Sequence, residues 1–159
     1  MKNNFQWKLD LEIKAPLKKV WEICDDLTLI TSYHPDVTKV DLISGVDKRE
    51  VGVSYRCNIE SGLRRGWCTE KVLNYEKYKS MTIIIPEDSW GLNKILLEFS
   101  SELFVEEIDP LKTKLIVKTY YRPKGLKGLL FNTLFKSKMR KQAINTFLSL
   151  KRNIEKSND

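Results

Sequence analysis

Glu70 is the ionisable residue whose setting best suits chemistry. It falls in Trp67–Tyr75, which reads as the returning strand of a hairpin turned at Ser61-Gly62-Leu63-Arg64-Arg65. Both side-chain parities of that strand are mixed sets. The set Cys68, Glu70 and Val72 is expected inward, because a buried Lys71 would be costly unless paired. Glu70 would then lie across from Tyr55 on the neighbouring strand. A desolvated carboxylate there has its pKa raised, and it can orient a polar ligand group or act as an acid or base. The plainer alternative is a solvent-facing glutamate, or one paired with Arg56 or Arg65. Tyr55, Cys57, Phe99, Ser101, Thr119 and Tyr121 share inward parity on other strands. Aromatics mixed with a few hydroxyls fill a core by default and also suit an apolar-ligand cavity.

Other reactive residue types lead less far. His34 is the single histidine and stands before Pro35 in a turn, with no Ser/His/Asp or Cys/His spacing around it. A structural role competes with a place at a cavity mouth. Trp90, on a polar loop, either closes over a ligand or anchors at the surface. The three cysteines, Cys24, Cys57 and Cys68, lack metal-type spacing, so reduced thiols are expected, with Cys57 and Cys68 as inert cross-strand neighbours. Gly62-Leu-Arg-Arg-Gly66 lacks the strand-to-helix context of a phosphate loop. No metal and no cofactor is expected.

The elements that would position these residues follow from periodicity. Residues 5–14 alternate strictly, with Phe5, Trp7, Leu9, Leu11 and Ile13 on one face of a strand. Pro16 opens a short helix marked by Val20, Trp21, Ile23 and Cys24, and Asp25-Asp26 can cap a second through about Ser32. Strands follow over 37–43, 51–59 (Val51, Val53, Tyr55, Cys57 and Ile59 on one face), 67–75, 80–85, 95–108 and 112–121, with 87–94 a polar loop. Leu97, Phe99, Ser101, Leu103 and Val105 are expected inward, while Glu98, Glu102 and Glu106 face out, across from outward Lys114 and Lys118. Leu129 to Ile154 holds no proline or glycine and reads as one long helix covering an antiparallel sheet, an α+β class.

That terminal helix carries two further signals. Residues 1–121 hold 18 Lys/Arg against 19 Asp/Glu, whereas residues 122–159 hold ten against Glu155 and Asp159. All the excess positive charge of a +7 chain therefore sits at its end. A solvated face is the plain reading, and an anionic membrane surface or acidic protein is the sharper one. Nucleic acid is not expected as a partner, since no recognition motif accompanies the charge. The stretch Leu126 to Phe135 is apolar on several sides and is followed by Lys136, Lys138, Arg140 and Lys141; packing against the short helices and the sheet's open end is the plainer reading, and the start of a membrane-surface helix is the alternative. The second signal is the apolar stripe. Leu126, Leu130 and Leu134 cluster on one side, and Ala143, Ile144, Phe147, Leu150 and Ile154 on a side rotated by about 100°. Thr133, Ser137 and Arg140 fall between them at positions expected to face inward; a kink or a drift in packing is one explanation, and the other is that the middle of the helix lines a cavity.

Taken in order, Ala15-Pro16-x-x-x-Val20-Trp21, Asp26-Leu27, Tyr33-His34-Pro35 with Val37, Gly52-x-x-Tyr55-Arg56 and Thr69-Glu70-Lys71-Val72, followed by the long terminal helix, resemble the START/Bet v 1-like (SRPBCC) superfamily, in its polyketide cyclase/dehydrase-like branch. The resemblance covers nearly the whole chain as one domain, 1–159. It implies a helix-grip fold: a seven-stranded antiparallel sheet wrapped around the C-terminal helix, with two short helices after the first strand. It further implies a hydrophobic cavity for an apolar small molecule, lipid- or polyketide-like. An enzyme of the cyclase/aromatase kind would use Glu70, Tyr55 or Tyr121 as acid or base, and a membrane-surface lipid carrier would use the basic terminal helix. The N-terminus lacks the apolar run of a signal peptide, and no window reaches the length of a spanning helix, so a cytoplasmic location is expected.

Overall fold

The structure, a computed structural model, describes residues 4–157. Residues 1–3, part of the N-terminus read above, and 158–159, which include Asp159 of the charge count, lie outside the described residues. Seven strands form one antiparallel sheet: β1 (Trp7–Ile13), β2 (Val37–Asp41), β3 (Ser54–Ser61), β4 (Arg64–Glu76), β5 (Ser80–Asp88), β6 (Leu96–Asp109) and β7 (Lys112–Pro123), in the spatial order β1-β7-β6-β5-β4-β3-β2. Strands β3 through β7 form a meander, joined by short turns except between β5 and β6, where a short helix intervenes, and the connection from β1 to β2 crosses the mouth of the sheet. That connection contains α1 (Leu17–Asp25), a 3₁₀ turn over Leu27–Leu29 and α2 (Ile30–Tyr33). Helix α1 buries Val20, Trp21 and Cys24, a one-sided stripe at helical spacing. Asp26 caps the next turn by accepting from the Thr28 amide at 2.9 Å.

The sheet grips α4 (Gly125–Lys156), whose 32 residues make a rod of about 48 Å. This is the helix-grip arrangement. Near its C-terminal end Leu150 and Ile154 are fully buried in the main core with Trp21, Leu27 and Leu115. The Glu155 carboxylate accepts from the Lys14 amide at 2.9 Å, and Lys151 donates to the Glu12 carbonyl at 2.7 Å, so this end is tied to β1 and the residue after it. At the other end Lys124 donates its amide to the Ile95 carbonyl at 2.8 Å. One turn later Gly128 lies so close that an added Cβ would stand 2.5 Å from that same oxygen. A smaller core of Trp7, Leu96 and Tyr121, packed against Phe99, Phe131, Met139 and Ala143, sits under this half of the helix.

Several local expectations are corrected. The strand expected from Val51 begins only at Ser54. Gly52 adopts φ +87°, turning the chain there, and Val51 is 66% exposed. The polar loop expected over 87–94 divides between the end of β5 and a short helix, α3 (Leu92–Ile95). The Asp88 carboxylate organises this segment by accepting from the amides of Trp90, Leu92 and Asn93 at 2.8, 3.0 and 2.8 Å. In β6 the pairing with β7 is irregular between Leu97 and Ser100, and Glu98 sits at φ +58°. The bulge resets the parity, so Leu96 rather than Leu97 is the fully buried residue before Phe99. Glu102 and Glu106 do oppose Lys118 and Lys114 in register. Glu102, however, accepts the Tyr120 hydroxyl at 2.8 Å, and Lys118 rests over the Phe104 ring at 5.2 Å.

Candidate functional site

Two chambers lie between the concave face of the sheet and α4. The first, about 210 Å³, is walled by Met81, Ile83, Ile85 and Leu103 from the sheet and by Ala143, Phe147 and Leu150 from the helix. A water needs only about 15 Å³ of such space, so the chamber is on the scale of an organic molecule. Tyr33, His34, Arg49 and Glu70 gather at the end where α1 and α2 close the sheet, while Ser101 and Thr146 add hydroxyls to its walls. Glu70 faces inward with Cys68 and Val72, and its register partner is Tyr55.

The polar end is a connected network. The Glu70 carboxylate accepts the Tyr55 hydroxyl through Oε2. Arg49 donates to the same hydroxyl oxygen through Nε at 3.1 Å and Nη2 at 2.9 Å, and through Nη1 to the Cys24 carbonyl. Arg49 is 6% exposed and Tyr55 fully buried. A buried cation is tolerated only where it is paired and hydrogen-bonded, and here Tyr55 relays it to the Glu70 carboxylate. Burial pushes the Tyr55 hydroxyl well above the usual tyrosine range, despite the guanidinium beside it. The same cause takes Tyr33, also beside Arg49, and the Cys24 thiol each to about 12. His34 accepts the Asp36 amide at Nδ1 (3.3 Å), a pairing that places the ring proton on Nε2. Burial of the ring lowers its pKa, against the opposite pull of Glu70 and Asp36.

The second chamber, about 260 Å³, lies under the middle of α4 and is walled by Trp7, Leu96, Phe99, Thr119, Met139 and Trp90, among others. It shares Ile85, Ser101, Ala143 and Phe147 with the first. The Ser101 and Thr119 hydroxyls meet at 3.4 Å. Trp7 Nε1 is buried with no acceptor among the described residues. The Trp90 ring lies over Gly66, where a Cβ would be 2.3 Å from it, so only glycine admits this wall.

A family model described as polyketide cyclase / dehydrase and lipid transport matches residues 6–155. The chain belongs to that family. Solved structures of like fold include the Zhui aromatase/cyclase from Streptomyces sp. R1128, at 13% identity, TM-score 0.75, covering 96% of this chain and 94% of that one. A START superfamily protein from Mycobacterium smegmatis superposes with TM-score 0.71 at 12% identity, over 94% of this chain and 97% of that one. A norcoclaurine synthase point mutant from Thalictrum flavum, in complex with a transition-state analogue, gives TM-score 0.74 at 11% identity, over 96% and 95%. No curated protein matches the sequence.

Within this polyketide cyclase / dehydrase and lipid transport fold, the residues singled out from the sequence fall into three groups. Glu70, Cys57, Ser101 and His34 line the first chamber, and Phe99, Ser101, Thr119 and Trp90 the second. Tyr55 and Tyr121 stand behind the walls. Tyr55 is occupied by Arg49 and Glu70. Tyr121 stacks on Phe99 at 5.4 Å and donates to Asn132 at 2.5 Å. Thr133, Ser137 and Arg140 are exposed on the outer side of α4, a correction to their expected inward position. The inward stripe runs instead through Gly128, Phe131, Met139, Ala143, Phe147, Leu150 and Ile154, spaced three or four apart except for two turns between Phe131 and Met139, and it drifts slowly around the helix along its length. Leu126, Leu130 and Leu134 lie outside, so interpolating between them and the C-terminal stripe pointed to the wrong face. Arg49 was missed because it stands in a charged run, Asp47-Lys-Arg-Glu50, that reads as a solvated turn. Cys57 and Cys68 are register partners, and all three cysteines are free and buried. Among the described residues no cluster of three His, Cys, Asp or Glu is arranged to hold a metal.

Proposed function

We propose that the protein binds an apolar small molecule in the two chambers, with a hydrogen-bond donor of the ligand directed at Glu70. The observation that carries this reading is a carboxylate presented into a mostly apolar chamber, at its polar end, and held there by Tyr55 and Arg49. Glu70 Oε2 takes the tyrosine hydroxyl, while Oε1 makes no hydrogen bond among the described residues and is open to a ligand N–H or O–H. In the second chamber the unpartnered Trp7 indole N–H suits a ligand acceptor. A lipid- or polyketide-like molecule, apolar in its body with a few oxygens, answers both requirements, and the family's description is in keeping with it. The test compares native and denaturing mass spectra of the purified protein. A bound mass released on denaturation and weakened by Glu70→Gln is the expected result. Identical masses, together with no uptake of an added apolar fluorophore, would overturn the proposal.

The polar end also favours a second reading, in which Glu70 acts as acid or base on the bound molecule. Tyr55 would serve that step by positioning Glu70. Retained turnover of an identified substrate by the Glu70→Gln protein would remove this reading and leave binding intact.

A further inference from the structure

The outer face of α4 carries an unusual juxtaposition. Leu126 is 86% exposed, Leu129 55%, Leu130 62% and Leu134 63%. They occupy one side of the first three turns, and Gly128 fixes that orientation. Its backbone lies against the Ile95 carbonyl on the opposite side, so the helix cannot roll these leucines inward without a collision. Residues 122–141 hold seven Lys/Arg and no acidic residue, and no Asp or Glu occurs from Pro110 to Ile154. Lys124, Lys127, Lys138, Arg140 and Lys141 are exposed and paired with no carboxylate among the described residues. The leucines are thus bracketed by unneutralised cations before and after.

We propose that this half of α4 is a docking surface for an anionic lipid bilayer. The leucines project from a convex helix, a shape that needs a yielding apolar phase rather than a matching groove. An interfacial helix of this kind buries its apolar side at the boundary of headgroups and acyl chains, while cations meet the anionic surface. A second copy of the chain is the poorer occupant, because it would set two strongly cationic segments against each other. Docking would bring the second chamber close to the lipid: Met139, one of its walls, is five residues along the helix from Leu134, about 7.5 Å of axial rise. The surface is on the outside of the fold, so this inference does not depend on what the chambers hold.

The experiment is co-sedimentation of the full chain with vesicles of phosphatidylcholine alone and of phosphatidylcholine mixed with phosphatidylserine. Binding to the anionic vesicles at low salt is expected, falling as salt is raised and absent on the neutral vesicles. The pair Leu130→Ser, Leu134→Ser should weaken binding at least about tenfold, since each removes apolar carbons from the interface. Lys138→Gln and Arg140→Gln should each cost about fivefold. All four positions are exposed, and an unchanged melting temperature verifies that the fold is intact. Three outcomes overturn the proposal: no binding to anionic vesicles at low salt; binding unaffected by the leucine pair, which would mean charge adsorption alone; or a dimer that the leucine pair dissociates in a protein that ignores vesicles.

Discussion

Replacing Arg49 by Met tests whether the polar end of the first chamber acts as one unit. The side chain is 6% exposed and donates to the Tyr55 hydroxyl and the Cys24 carbonyl. Met fills much of the volume and supplies no donor. The Cys24 carbonyl then loses this buried partner, Tyr55 keeps only Glu70, and the Glu70 carboxylate loses the cation behind its hydroxyl partner. Each buried acceptor left without a partner costs about 1–3 kcal/mol, and breaking a buried charge pair costs about 3–5 kcal/mol in all. At about 2–4 °C per kcal/mol for a chain of this size, the melting temperature should fall by about 6–20 °C. Urea denaturation of Arg49→Met, Glu70→Gln and the double variant completes the cycle. Neutralising Glu70 removes the uncompensated charge, so the double variant should be more stable than the sum of the singles predicts, by at least about 1 kcal/mol. A loss below about 1 kcal/mol for Arg49→Met, or additivity within about 0.5 kcal/mol, would refute the network.

Two further outcomes follow from the geometry. His34 is the single histidine and its pKa is lowered by burial, so the folded state takes up its proton at lower pH than the unfolded chain does. Its contribution to stability is therefore present above the unfolded value of about 6.5 and is lost as pH falls from there toward the folded value. The one imidazole signal in a proton NMR titration should move with a midpoint below the ordinary one, and a midpoint at or above it would contradict the burial argument. At Gly128, helix propensity alone would make Gly→Ala stabilising by about 1 kcal/mol. The 2.5 Å approach to the Ile95 carbonyl should reverse the sign, with a net loss of about 1–3 kcal/mol in thermal unfolding; a more stable Gly128→Ala protein would show that the helix end yields.

Much of the sheet was legible because period-two alternation leaves little freedom. Residues 5–14 gave β1, and the cost of burying Lys71 placed Glu70 inward on β4 opposite Tyr55. The Cys57–Cys68 pairing followed from the length of the hairpin. Alternation fails where the backbone departs from the pleat, and so the parity of Leu96–Phe99 and the start of β3 were misread at a bulge and at a glycine of positive φ. The helix was misread for a different reason. Leucine ordinarily marks a buried side, yet the first turns of α4 present their leucines to solvent and bury Gly128. Arg49 had no local signal at all, since its partners, Tyr55 and the Cys24 carbonyl, come from β3 and α1. A residue made functional only by distant segments leaves no trace in the spacing of its neighbours.

The sheet is also unevenly fastened. Strands β5 and β6 pair from Ser80↔Phe104 to Ile84↔Ser100 and then part, while β5 stays with β4 as far as Cys68↔Asp88. The gap beyond Ile84 holds α3 and opens on the outside as a recess of about 440 Å³ that reaches Leu96 and Phe99, two walls of the second chamber. Backbone amides along this seam lack a strand partner across the gap, so they exchange with solvent through small local openings, while the β6–β7 ladder exchanges only with deeper unfolding. The second chamber can therefore widen by a slight swing of α3 about Asp88, with the other five strand pairings and the grip on the C-terminal end of α4 left in place.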